Sequence, residues 1–473
     1  MKLPMTPQQS RRTVLLSVGV LLWVVACVWN WPAALSFGDE VGYLGQARLF
    51  LEGHVRPSVD SPGIWHTTAE GSLIAKYPLF HPALLAPFIA IAPRSAFLLG
   101  VISAILLVAC AARLLKSWGK DPLWALLVLV QPAICVVSRT LMADLLLSSL
   151  LFAGYLSLKR PTAWVTAGLF AVIQLTKPTG PLLTIMLICG ECLTHWKSIK
   201  ARDLQSLRPI GFALLGFAIG MLLVGGLNIL ANGTPQYGYH ERFGPPSFGF
   251  QFLSTAGAAH AKSLLLNPPL LILGALPFWK RREFGPLAVI AGLISLMSIY
   301  YFVDWGRNWL DSLVLSQRLI LPAIAFLMAG YASLLCDLFA WASRRWGRWI
   351  STVSTVGLVL IPGGVGQVIG ARHLRWQKPM NDAMVVVNEV SASQGTKHIA
   401  LTPNALKYGL LFRGRTSMYV PDHENPDVIL CATKNTSYRI SEVDLACEFP
   451  GYRRVRSVIG SDVLVRADKA ATK

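Results

Sequence analysis

The sequence predicts an all-α polytopic membrane bundle of about eleven transmembrane helices, with interfacial helices in the first outer loop and a small C-terminal α/β domain. Composition is the first reason, because the 473 residues are 53% hydrophobic and only 14% charged. Apolar runs long enough to cross a hydrocarbon core of ~30 Å recur through residues 1–371. Residues 372–473 differ, since short predicted strands at 383–387, 398–402, 428–431 and 461–466 alternate with turn residues.

The apolar runs follow one another with short connections between most of them. The predicted spans are residues 13–35, 94–116, 121–137, 140–158, 161–176, 178–196, 209–231, 262–279, 284–303, 317–342 and 347–371. The first run ends in Trp29 and Trp31 rather than at a small-residue cleavage site, so we expect a retained span and not a signal peptide. The third lies between Pro122 and Pro132 and could be tilted or partly re-entrant.

Basic residues mark every second connection between the predicted spans. These connections contain Lys116 and Lys120, Lys159 and Arg160, residues 197–208, Lys280 to Arg282, and Arg344 to Arg348. Because cytoplasmic loops carry the excess of Lys and Arg, we expect a cytoplasmic N-terminus, with residues 36–93 and the C-terminal domain outside. The formal charge of +19 then reflects orientation in the bilayer. We expect no nucleic-acid partner, because no basic stretch carries interleaved aromatic residues.

Two adjacent carboxylates, Asp39 and Glu40, come directly after the first span. Carboxylates are costly to desolvate at a membrane boundary, so we expect these two to face water, a cation or a substrate. They could alternatively serve only as caps of the interfacial helix that periodicity predicts over residues 44–53. Residues 83–91 predict a second interfacial helix, because this apolar stretch is too short to cross the bilayer.

Several other charges on the outer side lack a topological explanation. Asp144 is predicted about one turn inside the fourth span, where an ionised group needs a partner, and Arg139 is the nearby candidate. This arrangement is either a structural ion pair or a functional carboxylate that lines a cavity. Lys177 and Arg318 are cations where the positive-inside rule predicts none. Each of the two either binds a phosphate or extends along the apolar surface to the interface. A phosphate suits Arg318 in particular, because a planar guanidinium can donate two hydrogen bonds to it.

In their order along the chain, these residues resemble the GT-C superfamily of membrane glycosyltransferases, most closely the protein O-mannosyltransferases and the aminoarabinose transferases of lipid A. The residues that carry the resemblance are Asp39–Glu40 with Tyr43, Tyr77–Pro78, Arg139 with Asp144, the Asn-Gly-Thr-Pro sequence at 232–235, and Gln317–Arg318 with Pro322. The resemblance implies transfer of a sugar from a polyprenyl-phosphate donor to an acceptor, with inversion at the anomeric carbon. The acceptor would be a glycan, a lipid or a protein, and the membrane a bacterial inner membrane.

The resemblance also implies roles for individual residues. Asp39 is the expected general base, because an inverting displacement needs one such carboxylate on the face opposite the leaving group. Glu40 and Asp144 are expected to act beside it by orienting the acceptor. Asp39 and Asp144 could also hold a divalent cation, the one cofactor for which the residues suggest a site. The expected substrate contacts are Tyr43, Lys76, Tyr77, His81, Arg139, Lys177, Tyr239, Arg242 and Arg318.

Two other functions fit part of the pattern. A polysaccharide polymerase or ligase would use the same class of polyprenyl-linked donor. A transporter of a lipid-linked substrate would place its charges near the bilayer midplane and show internal repeats, whereas the charges here lie near one face. In the outer domain, Cys431 and Cys447 could form a disulfide in an oxidising compartment.

Overall fold

The computed structural model of the chain is mainly helical. It describes residues 7–32, 35, 38–55, 65–67, 73–75, 77–159, 162–235, 247–301 and 314–347, isolated positions from 349 to 368, and the segments 399–401, 416–417, 428–432, 451–458 and 461–466. Its α-helices in these residues are α1 (Pro7–Trp29), α2 (Gly38–Leu51), α3 (Phe80–Ile91), α4 (Leu98–Ser117), α5 (Leu127–Val130), α6 (Pro132–Val137), α7 (Asp144–Leu158), α8 (Ala163–Thr176), α9 (Gly180–Thr194), α10 (Trp196–Lys200), α11 (Leu204–Asn232), α12 (Ala256–Leu266), α13 (Leu276–Lys280), α14 (Phe284–Ser298) and α15 (Leu321–Trp346). Short 3-10 helices lead directly into α4, α5, α13 and α15.

Four helical segments of the described chain are long and apolar enough to cross a membrane. They are Arg11–Trp29, Pro93–Ser117, Leu204–Asn232 and Ser316–Trp346. Shorter apolar helices of 10–17 residues accompany them: Phe80–Ile91, Asp144–Leu158, Ala163–Thr176, Gly180–Thr194, Leu271–Lys280 and Phe284–Ser298. The predicted total of about eleven spans therefore stays a prediction, because several of those spans correspond to shorter helices.

Helix α15 is the central helix of the bundle. Its most apolar stretch is 83% buried, against 11% for α1 and 22% for α11. It packs against α4, α7 and α14, and the ring of Phe326 lies 4.8 Å from that of Phe152 on α7. A Cβ atom added at Gly330 would lie only 1.8 Å from the carbonyl oxygen of Gly274. The backbones approach so closely that only a residue without a side chain fits.

Two of the predicted spans are broken in the structure. The third, 121–137, is divided into α5 and α6 because Pro132 has no N–H with which to continue the first helix. The eighth, 262–279, is wrong as a single helix. Helix α12 ends before Pro268 and Pro269, neither of which can donate a backbone hydrogen bond, and α13 begins beyond them.

The fourth predicted span begins later than expected, at Asp144 instead of residue 140. The N–H of Leu141 donates to the carboxylate of Glu40 at 2.6 Å rather than to a helical carbonyl group. The residues before α7 therefore form a turn. Asp144 consequently lies at the helix start and not one turn inside the helix, as the sequence predicted.

The strands of the described residues form two sheets. The strands are β1 (Trp65–Thr67), β2 (Leu73–Ala75), β3 (Ile399–Leu401), β4 (Thr416–Ser417), β5 (Val428–Ala432), β6 (Tyr452–Val458) and β7 (Ser461–Arg466). β1 and β2 form an antiparallel pair, and the other strands form a mixed sheet in the order β4-β3-β5-β7-β6. In that sheet β3 is parallel to β4 and β5, whereas β7 is antiparallel to β5 and β6.

The mixed sheet confirms the predicted strands at 398–402, 428–431 and 461–466. The predicted strand at 383–387 lies outside the described residues, as does Cys447. The complete α/β domain over residues 372–473 and its disulfide therefore stay predictions.

Candidate active site at one end of the bundle

The first loop of the chain contributes helices α2 and α3 to the site. Asp39 and Glu40 occupy the first turn of α2, where the helix dipole favours negative charge. One turn later, the ring of Tyr43 lies 4.5 Å from that of Tyr77 and 4.8 Å from that of His81, measured between centroids. All three rings are buried. This aromatic group packs α2 against α3 and thereby fixes the two carboxylates.

Asp39 lies between a hydroxyl group and a guanidinium group. The hydroxyl of Tyr77 donates to Asp39 Oδ1 at 2.5 Å, and Nη1 of Arg318 lies 3.4 Å from Oδ2. The side chain of Asp39 is 26% exposed, whereas that of Arg318 is only 5% exposed. Asp39 is thus an oriented carboxylate that stays accessible from one side.

Glu40 is fully buried and supports the turn before α7. Its Oε1 accepts the N–H of Leu141, and Nε2 of His81 lies 2.8 Å from the carbonyl oxygen of the same residue. Burial lowers the pKa of His81 to about 4, so the ring is neutral near pH 7. Since a carbonyl oxygen only accepts, Nε2 carries the proton. Glu40 therefore supports the turn in the described structure, and its role in orienting the acceptor stays a prediction.

Asp144 forms an ion pair with Lys177, the residue that follows α8. Its Oδ2 atom is buried and has no hydrogen-bond partner among the residues that the structure describes. The prediction that Arg139 is its partner is wrong. Nε of Arg139 donates instead to the carbonyl oxygen of Cys135 at 3.0 Å, one turn back on α6.

Arg139 is the largest fully buried side chain in the described structure, at 1% exposure. Its two terminal nitrogens, Nη1 and Nη2, have no hydrogen-bond partner there. An unpaired guanidinium is expensive to bury. The role of Arg139 as a substrate contact stays a prediction, because its buried guanidinium group forms no hydrogen bond or ion pair with Asp39, Asp144 or Arg318 in the described structure.

Arg318 belongs to the 3-10 helix Ser316–Ile320, which leads into α15. Its Nη1 lies 3.6 Å from the sulfur of Met142. The neighbouring Gln317 holds this helix in place, because its amide nitrogen donates to the carbonyl oxygens of Ser263 at 3.2 Å and Asn267 at 2.7 Å.

The oxygen of the Gln317 amide accepts a hydrogen bond from Gln131, which is itself buried at the start of α6. Sequence reasoning missed Gln131. An amide side chain within an apolar run would have been the signal for it.

The Asn-Gly-Thr-Pro segment has a structural part in the site. Asn232 Oδ1 accepts the N–H of Ala75 in β2 at 2.9 Å. Gly233 follows with φ of 75°, a left-handed conformation that ends α11 and favours glycine. The segment therefore ties α11 to the first loop. The predicted contacts Lys76, Tyr239 and Arg242 lie outside the described residues.

The structure brings most of the described site residues into one neighbourhood. Asp39 contacts both Tyr77 and Arg318, and Arg318 contacts Met142, which lies two residues before Asp144. His81 lies within electrostatic range of both Asp144 and Lys177. Two carboxylates, each beside a cation, therefore lie at the same end of α7.

Asp39 and Asp144 are the two carboxylates for which the sequence suggested a metal ion. Within the described ranges, no group of three or more His, Cys, Asp or Glu side chains could hold one. Asp39 and Asp144 each contact a cationic side chain instead. A divalent cation bound by these two carboxylates stays a prediction, and it would have to compete with Arg318 and Lys177.

Comparison with known proteins gives matches to solved structures. No family model and no curated protein matches the chain. ArnT from Cupriavidus metallidurans in the apo state is similar with a TM-score of 0.60 and 13% identity, over 99% of this chain and 100% of that chain. The fold is that of ArnT. The structure of ArnT bound to undecaprenyl phosphate gives a TM-score of 0.59 and 14% identity, over 97% of this chain and 98% of that chain.

The match shows that the fold is similar to that of ArnT over nearly the whole chain. Together with the four long apolar helices, it identifies an integral membrane protein. At 13–14% identity the likeness concerns the fold alone. Chemistry must therefore be argued from the site residues.

Proposed function

We propose that the protein is a membrane glycosyltransferase that moves a sugar from a polyprenyl-phosphate donor to an acceptor. The observation that carries the proposal is Asp39, a partly exposed carboxylate oriented by Tyr77 and adjacent to the Arg318 guanidinium. A base and a cation side by side are what transfer from a phosphate leaving group requires. The ArnT fold supports the class of donor, since ArnT binds undecaprenyl phosphate.

In the proposed reaction, Asp39 removes the proton from an acceptor hydroxyl group. The hydroxyl oxygen then attacks the anomeric carbon, and the bond from that carbon to the phosphate oxygen breaks. The electron pair of that bond leaves with the polyprenyl phosphate. One displacement inverts the anomeric configuration.

Arg318 has the geometry to assist both partners of this reaction. A guanidinium carries five N–H donors in a planar arrangement, so it can hold a carboxylate and a phosphate at once. In the structure it already lies beside Asp39. Its positive charge would stabilise the phosphate as the negative charge develops on the leaving group.

Asp144 and Lys177 supply a second pair of polar groups. Oδ2 of Asp144 is buried without a partner in the described structure, which is costly unless a ligand completes it. We assign this oxygen to a sugar hydroxyl. Lys177 then pairs with the other oxygen of the carboxylate and holds the group in place.

The basic connections support a site on the outer face of a bacterial inner membrane, with the N-terminus in the cytoplasm. Asp144 begins α7, and Lys159 follows its last residue. A helix of this length separates the two by ~22 Å. The positive-inside rule assigns the Lys159 end to the cytoplasm, so the Asp144 end faces outward.

The proposal is tested with the purified full-length protein and polyprenyl-phosphate sugars. Asp39→Asn keeps the shape of the side chain but removes the base, so transfer should fall by about 10²–10⁴-fold while donor binding persists. Glu52→Gln is the matched control, because Glu52 is an exposed carboxylate beyond the end of α2. Near-normal turnover of Asp39→Asn would remove this residue as the base.

A further inference from the structure

An open groove lies on the outside of the bundle near the start of α11. Its volume is about 530 Å³, and its lining residues are Leu204, Gln205, Arg208, Gly211, Phe212 and Leu215. These positions recur at spacings of three and four residues, so they share one face of the helix. At its other end α11 meets the first loop through Asn232 and Ala75. The groove is therefore on the opposite side of the membrane from the site.

Gly211 lines the groove without a side chain, and we call the open space at this position the Gly211 notch. A Cβ atom added at Gly211 would meet no atom within 4 Å. The walls beside this notch are apolar, since Leu204 is 79% and Leu215 is 42% exposed. Trp164 packs edge-on against Phe212, with 5.2 Å between ring centroids, and supports that wall. An apolar notch of this kind suits an acyl chain.

One cation, Arg208, lines the groove, and a second, Lys200, ends the preceding helix α10. The guanidinium of Arg208 lies 5.7 Å from the centre of the Phe212 ring, and the ammonium of Lys200 lies 5.4 Å from that of Trp196. The adjacent carboxylate, Asp203, is engaged as the N-cap of α11. The positive charge of Arg208 thus lies beside an apolar ring that also lines the groove.

We propose that this groove binds an anionic phospholipid of the surrounding bilayer. The headgroup phosphate contacts Arg208, and one acyl chain lies in the Gly211 notch between Leu204 and Leu215. Charge complementarity selects the occupant, because a zwitterionic lipid would fill the notch without a net charge to match the cation. A free phosphate has no acyl chain and would make no contact with the apolar walls. This site is independent of the proposed transfer reaction.

The test is native mass spectrometry of the full-length protein with phosphatidylglycerol and with phosphatidylcholine of the same acyl chains. The wild type should retain phosphatidylglycerol preferentially. Arg208→Gln should weaken its binding about fivefold, the effect of one cation near the headgroup, and leave phosphatidylcholine unchanged. Gly211→Leu should weaken the binding of both lipids, because the new side chain fills the notch.

Two matched variants keep the result interpretable. Gly226→Leu adds the same side chain to open space on α11, outside the groove. Arg344→Gln removes an exposed cation from the last turn of α15. Equal retention of the two lipids by the wild type would overturn the proposal. So would losses in Arg208→Gln and Gly211→Leu that do not exceed those of the controls.

Discussion

The two ends of α7 carry polar groups that are arranged in opposite ways. At the C-terminal end of α7, the carboxylate of Glu283 accepts hydrogen bonds from Trp118 Nε1 at 3.1 Å, from Lys159 Nζ at 2.7 Å and from the hydroxyl of Tyr155. At the start of α7, Asp144 pairs with Lys177 but leaves a buried oxygen without a partner in the described structure.

This difference separates a polar group that holds helices together from one that is available to a ligand. The carboxylate of Glu283 uses both oxygens on three donors from two parts of the chain, which ties α4 and α7 to α14. Buried polar groups in native proteins nearly always find such partners. The proposed binding site rests on the oxygen of Asp144 that has no partner in the described structure and on the partial exposure of Asp39.

The largest expected effect is on activity at the start of α7. Asp144→Asn should lower the rate of sugar transfer by about 10²-fold, the usual cost of removing one well-placed polar group from an active site. The variant also leaves Lys177 without its carboxylate. The double variant Asp144→Asn/Lys177→Gln should therefore recover thermal stability but not activity. Recovery of activity in the double variant would make the pair purely structural.

The next effect is on stability at the opposite end of α7. Glu283→Gln should lower the free energy of unfolding by about 2 kcal/mol, because it weakens charge-assisted hydrogen bonds to a largely buried group. Thermal unfolding in detergent measures this loss. Transfer per folded molecule should stay at the wild-type level. A variant that unfolds normally but transfers slowly would show that the comparison between the two ends is wrong.

A smaller effect is expected from the hydroxyl group that orients the base. Tyr77→Phe removes the donor to Asp39 and should reduce kcat/KM for transfer about tenfold, since a hydrogen bond to a charged group contributes ~1.5 kcal/mol or more. Tyr331→Phe is the control, because its hydroxyl donates to the carbonyl oxygen of Pro269 and does not contact Asp39. Equal rates for the two variants would show that Tyr77 only packs against Tyr43.

Much of this site could be predicted because charge in an apolar sequence is a local signal. Asp39 and Arg318 lie 279 positions apart, yet each is separately conspicuous beside a membrane span, and the structure places them in contact. The resemblance noted from the sequence used the same residues, and the fold is similar to that of ArnT.

What could not be predicted depends on how helices pack. Lys177 becomes the partner of Asp144 only because α7 packs against α8, whereas sequence distance favoured Arg139. Glu40 turns inward to the N–H of Leu141, a pairing that needs the tertiary structure. Pro268 and Pro269 could have predicted the break in the eighth predicted span, but the apolar residues on both sides of them form one nearly continuous run.

The most direct test of the account is the stereochemistry of the transferred sugar. The purified protein would receive a polyprenyl-phosphate sugar of known anomeric configuration and a mixture of envelope lipids and glycans as acceptors. The coupling constant of the anomeric proton in the product gives its configuration. A single displacement with Asp39 as base predicts inversion. Retention would contradict the account, because it requires a second carboxylate to act as nucleophile, and so would the absence of any transfer.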